Sequence, residues 1–393
     1  MVHVQVPWRT SRRLLQLFLL VIVFVPSIAN AQAMIKVNDN INIKFGTLMQ
    51  SWADLQQDAT TRGYGNNLFL RRFRFLVGGQ ISPTLSFFFE TDNPNLGKTP
   101  KALNSGFITQ DAFLEWKPKS NAFIVDAGLI LPPLCRNCLE SAASLLSLDY
   151  GSFSFTESAP TQSSVGRDTG FQAKGYLAGG HFEYRAAVLQ GFRAAGARNS
   201  LRTTGRVMYN AWDAEAPSYT YQGLYLGNKR ILSFGVGADH QQNYKGAAAD
   251  VFLSLPMGPA SPAATTGTSG GATGPTTPPP PALPRNAFNG ELTLLHFDGG
   301  STFTAANIND QNDATVQLGY YLAGPKVMPF VRFEKQDFKA SSNNGRDNKR
   351  LQAGLSWMPN GNNFNIKGAY SRVDPHVGNT TNEFTIQMQL FYY

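Results

Sequence analysis

Phe69-Leu70-Arg71-Arg72-Phe73-Arg74-Phe75-Leu76-Val77 sets Phe73, Phe75 and Val77 on one side of an extended chain and Arg72 and Arg74 on the other. Successive side chains of a strand point to opposite faces, so this stretch reads as a strand with one greasy and one charged surface. The same period returns further on. Leu85, Phe87 and Phe89 alternate with Ser86, Phe88 and Glu90. Val316, Leu318, Tyr320 and Leu322 alternate with Thr315, Gln317, Gly319 and Tyr321. Leu351, Ala353, Leu355 and Trp357 alternate with Arg350, Gln352, Gly354 and Ser356. A soluble sandwich would also alternate, but its strands are usually about 5–6 residues long. Segments of about 10 residues recur here, the length a tilted strand needs to cross a bilayer.

The composition agrees. The 393 residues include 37 Gly and 12% aromatics but only 15% charged residues, which favours strands and turns over helices. Mean hydropathy is slightly negative, at −0.22, so a bundle of apolar membrane helices is excluded. At the start, Arg9, Arg12 and Arg13 precede the apolar run Leu14 to Val25, then Pro26 and the small-residue pattern Ser27 to Ala31. This reads as a secretory signal peptide, residues 1–31, cleaved after Ala31 or alternatively after Ala33. Its removal lowers the formal charge from +8 to +5. Residues 34–393 are then expected to form one closed, all-β, antiparallel transmembrane barrel in the bacterial outer membrane.

Strand candidates lie near 41–52, 67–79, 84–93, 107–117, 121–130, 168–178, 181–191 and 203–213. They continue near 231–241, 247–255, 286–297, 313–323, 327–337, 348–358, 363–373 and 383–393. About 16 strands result, an even number as in bacterial single-chain barrels. Short connections (Ser82-Pro83, 118–121, Gly179-Gly180, 324–326, 360–363) alternate with long ones (53–66, 94–106, 131–167, 298–312, 338–347, 374–382). Short turns belong in the periplasm and long loops outside. Residues 214–230 form a long inner connection. Residues 256–285, a Pro, Gly, Ala and Thr run, are expected to be a disordered insert within the barrel. Loop 131–167 carries Leu145, Leu146, Leu148, Phe153 and Phe155, apolar groups that gain from folding inward against the wall. It is expected to be an infolded third outer loop that narrows the pore and faces Arg72 and Arg74.

Several stretches, in order, resemble the phosphate-selective porin O and P family. They are Arg71 to Phe75, the acid-ended strand Phe87 to Asp92, Asp111 to Trp116, and Gly128-Leu129-Ile130-Leu131-Pro132-Pro133. Gly166 to Phe171, Tyr184 to Gly191, Gly319-Tyr320-Tyr321, Arg332-Phe333-Glu334 and Gly354 to Pro359 follow. The alternating end, Phe384, Ile386, Met388, Leu390 and Tyr392, resembles the last strand of outer-membrane barrels, with Tyr393 as one residue beyond it. The resemblance implies a 16-stranded, homotrimeric, anion-biased channel with a constriction fed by infolded loops.

The alternation turns Arg72, Arg74, Lys174, Arg185, Arg206, Arg332, Arg350 and Lys367 toward the lumen as candidate pore-lining, anion-binding residues. It turns Glu90, Asp92, Asp111, Glu115, Glu183, Asp239, Asp250, Glu291 and Glu334 there too, so pairing within the lumen competes with anion binding. No compact lysine cluster like the family's phosphate-specific one is visible, and a modest anion preference is the expectation. Cys135-Arg136-Asn137-Cys138 lacks a following His or a second Cys pair, so a local disulfide of Cys135 with Cys138 is favoured over haem or zinc. Trp52, Trp116, Trp212 and Trp357 read as interfacial girdle residues. The leading function is a passive outer-membrane channel for small hydrophilic solutes, with phosphate among the anions. It has no enzyme activity, no catalytic or metal residues, no cofactor and no nucleic-acid partner; membrane lipid and solutes are its partners. A sheath barrel housing a partner such as a cytochrome, or a barrel hydrolase, are the alternatives.

Overall fold

The computed structural model describes residues 33–98, 103, 106–158, 166–193, 195–217, 219–258, 285–303, 306–339 and 345–393. The expected signal peptide and most of the 256–285 insert lie outside the described residues. A short arm, β1 (Ala33–Asn38), pairs with the start of β2 (Ile41–Gln57). The wall continues with β3 (Tyr64–Ser82), β4 (Leu85–Asp92), β5 (Ile108–Trp116), β6 (Ile124–Ile130), β7 (Asp168–Leu177), β8 (Phe182–Leu189) and β9 (Arg202–Asn210). Then come β10 (Ile231–Gln241), β11 (Tyr244–Pro256), β12 (Ala287–Asp298), β13 (Gln311–Tyr321) and β14 (Val327–Phe338). The last are β15 (Asn348–Asn360), β16 (Phe364–Pro375) and β17 (Thr381–Tyr392).

From β2 onward every strand pairs antiparallel with its successor, and β17 returns to β2 through Glu383↔Gln56 to Tyr392↔Thr47. The ring is a closed up-and-down barrel of sixteen strands, β2 to β17, with no crossover. Closure leaves no wall edge unpaired, which is what lets a sheet cross lipid. The alternation read from the sequence is the alternation of the wall. Phe75 is 47% exposed on the outer surface, and Phe89, Phe171, Val236, Leu355 and Phe384 are exposed with it. Arg72, Arg74, Glu90, Asp239, Asp250 and Gln387 on the opposite face are buried inside.

Of the irregularities in register among the described residues, two turn an extra residue into the lumen. Gln50 pairs with Arg72 but Ser51 pairs with Leu70, so Arg71 is an extra residue in β3. Below it the even residues face inward. Above it the phase reverses, with Phe69 at 6% exposure and Leu68 at 79%. Arg71 and Arg72 therefore both reach the lumen. Likewise Glu90 pairs with Asp111 and Thr91 with Thr109, so Gln110 and Asp111 are both buried inside. An inserted residue of this kind re-aims the side chains beside it.

Besides the insert between β11 and β12, the expected alternation of connection lengths has two exceptions. The outer turn between β10 and β11 is only Gln242-Asn243, where Gln242 adopts φ 55°. The inner connection 211–230 is long, and it turns up into the barrel instead of hanging below it.

Candidate functional site: the occupied lumen

Loop 131–158 crosses the barrel interior and is bonded to the wall on several sides. Asn137 Nδ2 donates to Glu291 (3.1 Å), and Arg136 N to Asp250 Oδ2 (3.0 Å). Ser152 N and Oγ donate to Glu334 (2.6 and 2.8 Å). Gln50 and Gln389 amides donate to the carbonyls of Ala142 and Ala143 (3.0 and 2.8 Å). Lys367 Nζ donates to the carbonyls of Leu145 and Ser147 (2.5 and 2.8 Å). Leu145, Leu146, Leu148 and Phe153 are buried, as their apolar surfaces require. Cys135 and Cys138 are bonded to each other at the start of this loop.

The inner connection meets the loop from the other side. Ser141 N donates to Tyr221 O (2.8 Å) and Tyr221 N to Leu139 O (2.9 Å), a two-bond ladder between segments from opposite ends of the barrel. Arg136, fully buried, holds Glu215 with a bidentate pair (2.6 and 3.0 Å). Its guanidinium also lies 3.7 Å from the Phe252 ring centroid. Burial opposes ionisation of Glu215, but Arg136 holds its carboxyl below the ordinary value.

Among the described residues, two large cavities lie in the lumen. The outer one, about 640 Å³, is lined by Arg71, Lys98, Arg332 and Arg350 against Asp149 and Glu383 among charged groups. The inner one, about 680 Å³, is lined by Lys44, Arg74, Lys117 and Arg167 against Glu90, Glu115 and Glu140. Tyr150 lines both, and stands where they meet. Its hydroxyl donates to Glu140 O (2.7 Å), and Arg72 lies 5.3 Å from its ring centroid. Asp149 beside it accepts from Arg71 (2.8 Å) and Arg72 (2.5 Å). Burial opposes its charge, yet these two guanidiniums keep its carboxyl well below the usual carboxylate range. Burial, with Glu291 nearby, pushes the Glu140 carboxyl well up, toward its neutral form.

The sequence-derived cations are distributed unequally. Arg74 pairs with Asp92 (3.0 Å) and Glu90 (3.3 Å), Arg350 pairs with Glu383 (2.8 Å), and both line a cavity. Arg332 also lines one and donates to Ser147 Oγ and the carbonyls of Asp149 and Tyr150. Arg72 stands behind Tyr150. Lys174 (to Glu115 and Asp126), Arg185 (to Glu183), Arg206 (to Asp250) and Lys367 point inward but lie beneath the infolded segments, and neither cavity reaches them. A strict period of two passed over Arg71, because the bulge that turns it inward leaves no mark in the pattern. Tyr150, on a loop, had no strand phase to announce it. Trp52 departs from the girdle reading. Its indole Nε1 donates to Gln387 Oε1 (2.8 Å) and its ring lines the outer cavity. Even-numbered β2 residues face inward, so Trp52 shares the phase of Leu48 and Gln50.

This is the fold of bacterial outer-membrane porins, and the apolar outer wall makes the chain an integral outer-membrane barrel. No protein-family model and no curated protein sequence matches it. Among solved structures it is similar to OmpF of Salmonella typhi, at TM-score 0.57 and 13% identity, over 91% of this chain and 100% of that one. It is similar also to the outer-membrane channel DcaP of Acinetobacter baumannii, at TM-score 0.53 and 10% identity, over 91% and 99% of the two chains. The in-vitro folded outer-membrane protein OmpT of Vibrio cholerae gives TM-score 0.53 at 10% identity, over 92% and 100%.

Proposed function

We propose that the chain is a passive diffusion channel for small hydrophilic solutes with a modest preference for anions such as phosphate, in the manner of the phosphate-selective porin O and P family. The observation that carries this reading is the pair of charged cavities meeting at Tyr150. Four cations against two carboxylates give the outer cavity a formal +2; four against three give the inner one +1. Charged groups on a confined low-dielectric wall focus the potential, so a small excess biases which ions pass. Most of the arginines are paired with acids, which supports a bias and not a dedicated phosphate filter. A sheath housing a partner needs an open lumen, and here loop 131–158 and the inner connection occupy it. Strands β4 and β6, at 8 and 7 residues, fall below a bilayer crossing of about 9–11 residues and β5, at 9, is at its lower end, and a homotrimer would cover that low wall.

Reversal potentials across a potassium chloride gradient in planar bilayers test the reading. The expected sign is anion-leaning, and Arg72→Glu with Arg74→Glu together should move it toward cations. A cation-leaning wild type, or a potential indifferent to both changes, would place selectivity elsewhere.

A further inference from the structure

Porin lumens are polar, yet one wall of the inner cavity here is made of rings. Phe88 stands 5.8 Å, centroid to centroid, from each of Phe113, Tyr219 and Tyr393, and Phe113 is 4.5 Å from Tyr219. The four come from separate places: β4, β5, the infolded inner connection, and the residue beyond β17. Tyr219 is oriented by its hydroxyl, which donates to Asp111 and accepts from Leu131 N (3.0 Å), and this leaves its ring to the cavity. Tyr393 is let in by glycines at two inward positions of β2 and β3. A Cβ at Gly46 would stand 2.7 Å from the Tyr393 ring, and one at Gly78 would overlap its hydroxyl. Phe88, Tyr219 and Tyr393 are half-buried, so the rings remain open to the cavity.

Beside these rings the same cavity carries Lys44, in the cross-strand row that runs through Gly78 to Phe88 and Phe113, and Lys117, the residue after β5. Among the described residues neither has an acidic partner within ion-pair distance, whereas Arg74 and Arg167 in the same cavity are paired. About 680 Å³ is ample for a substituted single-ring molecule, since small-molecule sites run from about 300 to 1,000 Å³. Ring pairs are favourable at centroid separations of about 4.5–7 Å, and a carboxylate is the charge that free lysines complement. We infer that the inner vestibule binds aromatic carboxylates, the ring against Phe88, Phe113, Tyr219 and Tyr393 and the carboxylate toward Lys44 and Lys117. This rests on the channel reading, and it makes the periplasmic half of the path a selective stage for amphipathic anions.

Full-length protein in planar bilayers would be titrated with benzoate and with acetate, and benzoate binding would also be measured by calorimetry in detergent. Benzoate is expected to interrupt the chloride current at concentrations about tenfold lower than acetate, the gain of about one ring contact. Phe88→Leu and, separately, Lys117→Gln should each raise the benzoate concentration needed severalfold. Lys117 is exposed at the end of β5, so its variant tests the site without loading the fold. Benzoate no better than acetate, or Phe88→Leu and Lys117→Gln both at the wild-type value, would overturn the site. Benzoate binding in detergent without any ion current would instead overturn the channel and leave the site standing.

Discussion

Asp149 is the residue on which the constriction turns. It joins the infolded loop to Arg71 and Arg72, and the next residue, Tyr150, separates the two cavities. Asp149→Asn would leave Arg71 in the outer cavity, with Arg72 behind Tyr150, facing less opposing charge, so the reversal potential is expected to move toward anions. The pH dependence has a definite sign. A carboxyl held below its unfolded value of about 3.9 contributes stability above that value, and loses it only as pH falls through the lowered folded one. Asp149 is such a group. The difference between wild type and Asp149→Asn should therefore persist from pH 7 down to pH 4. Loss of about half of that difference by pH 4 would mean that Asp149 titrates as an ordinary surface acid.

At the scale of elements, two segments entering from opposite ends hold each other in place. Arg136→Ala would leave the buried Glu215 and Glu140 without their cation, and breaking a buried pair of this kind costs about 3–5 kcal/mol. The inner connection is expected to loosen, raising single-channel conductance and current noise; an unchanged conductance would show that the connection does not bound the path. The 256–285 insert should behave differently. Pro256 already pairs with Ala287, and Met257 N donates to Asn286 O (2.7 Å), so β11 and β12 are in register before the insert begins. Removing residues 258–282 is expected to leave assembly and conductance nearly as they are, because loop entropy changes slowly with length. Failure to assemble on deletion would give the insert a structural role. All sixteen wall strands could be read from the period-two pattern, because a wall with lipid on one side and polar groups on the other imposes that period along each strand except at its bulges. The lumen's contents were only partly legible. Apolar groups on loop 131–167 announced its infolding, but 211–230 offered no periodicity, and its partners, Leu139 and Ser141, are far away in sequence. Arg71 was hidden for the opposite reason: its neighbours are regular, and one extra residue shifts phase without changing composition.

For the whole molecule, the outer wall sets stability. An arginine in place of Phe75, outward on β3, is expected to cost about 2–4 kcal/mol if the site lies near mid-membrane, measured by reversible unfolding in lipid vesicles. A cost near zero would put Phe75 outside the hydrocarbon. The seam where β17 meets β2 has a consequence of another sort. There the Gln50 side-chain amide donates to Gln389 Oε1 (2.8 Å), between residues 339 positions apart. No local event can form that contact, and topologies dominated by such distant pairings fold slowly. Until it forms, β2 and β17 are two open edges with unpaired N–H and C=O groups, templates for joining another copy. The chain must therefore be kept from its neighbours while it waits, and a shorter time unclosed leaves fewer chances for such joining.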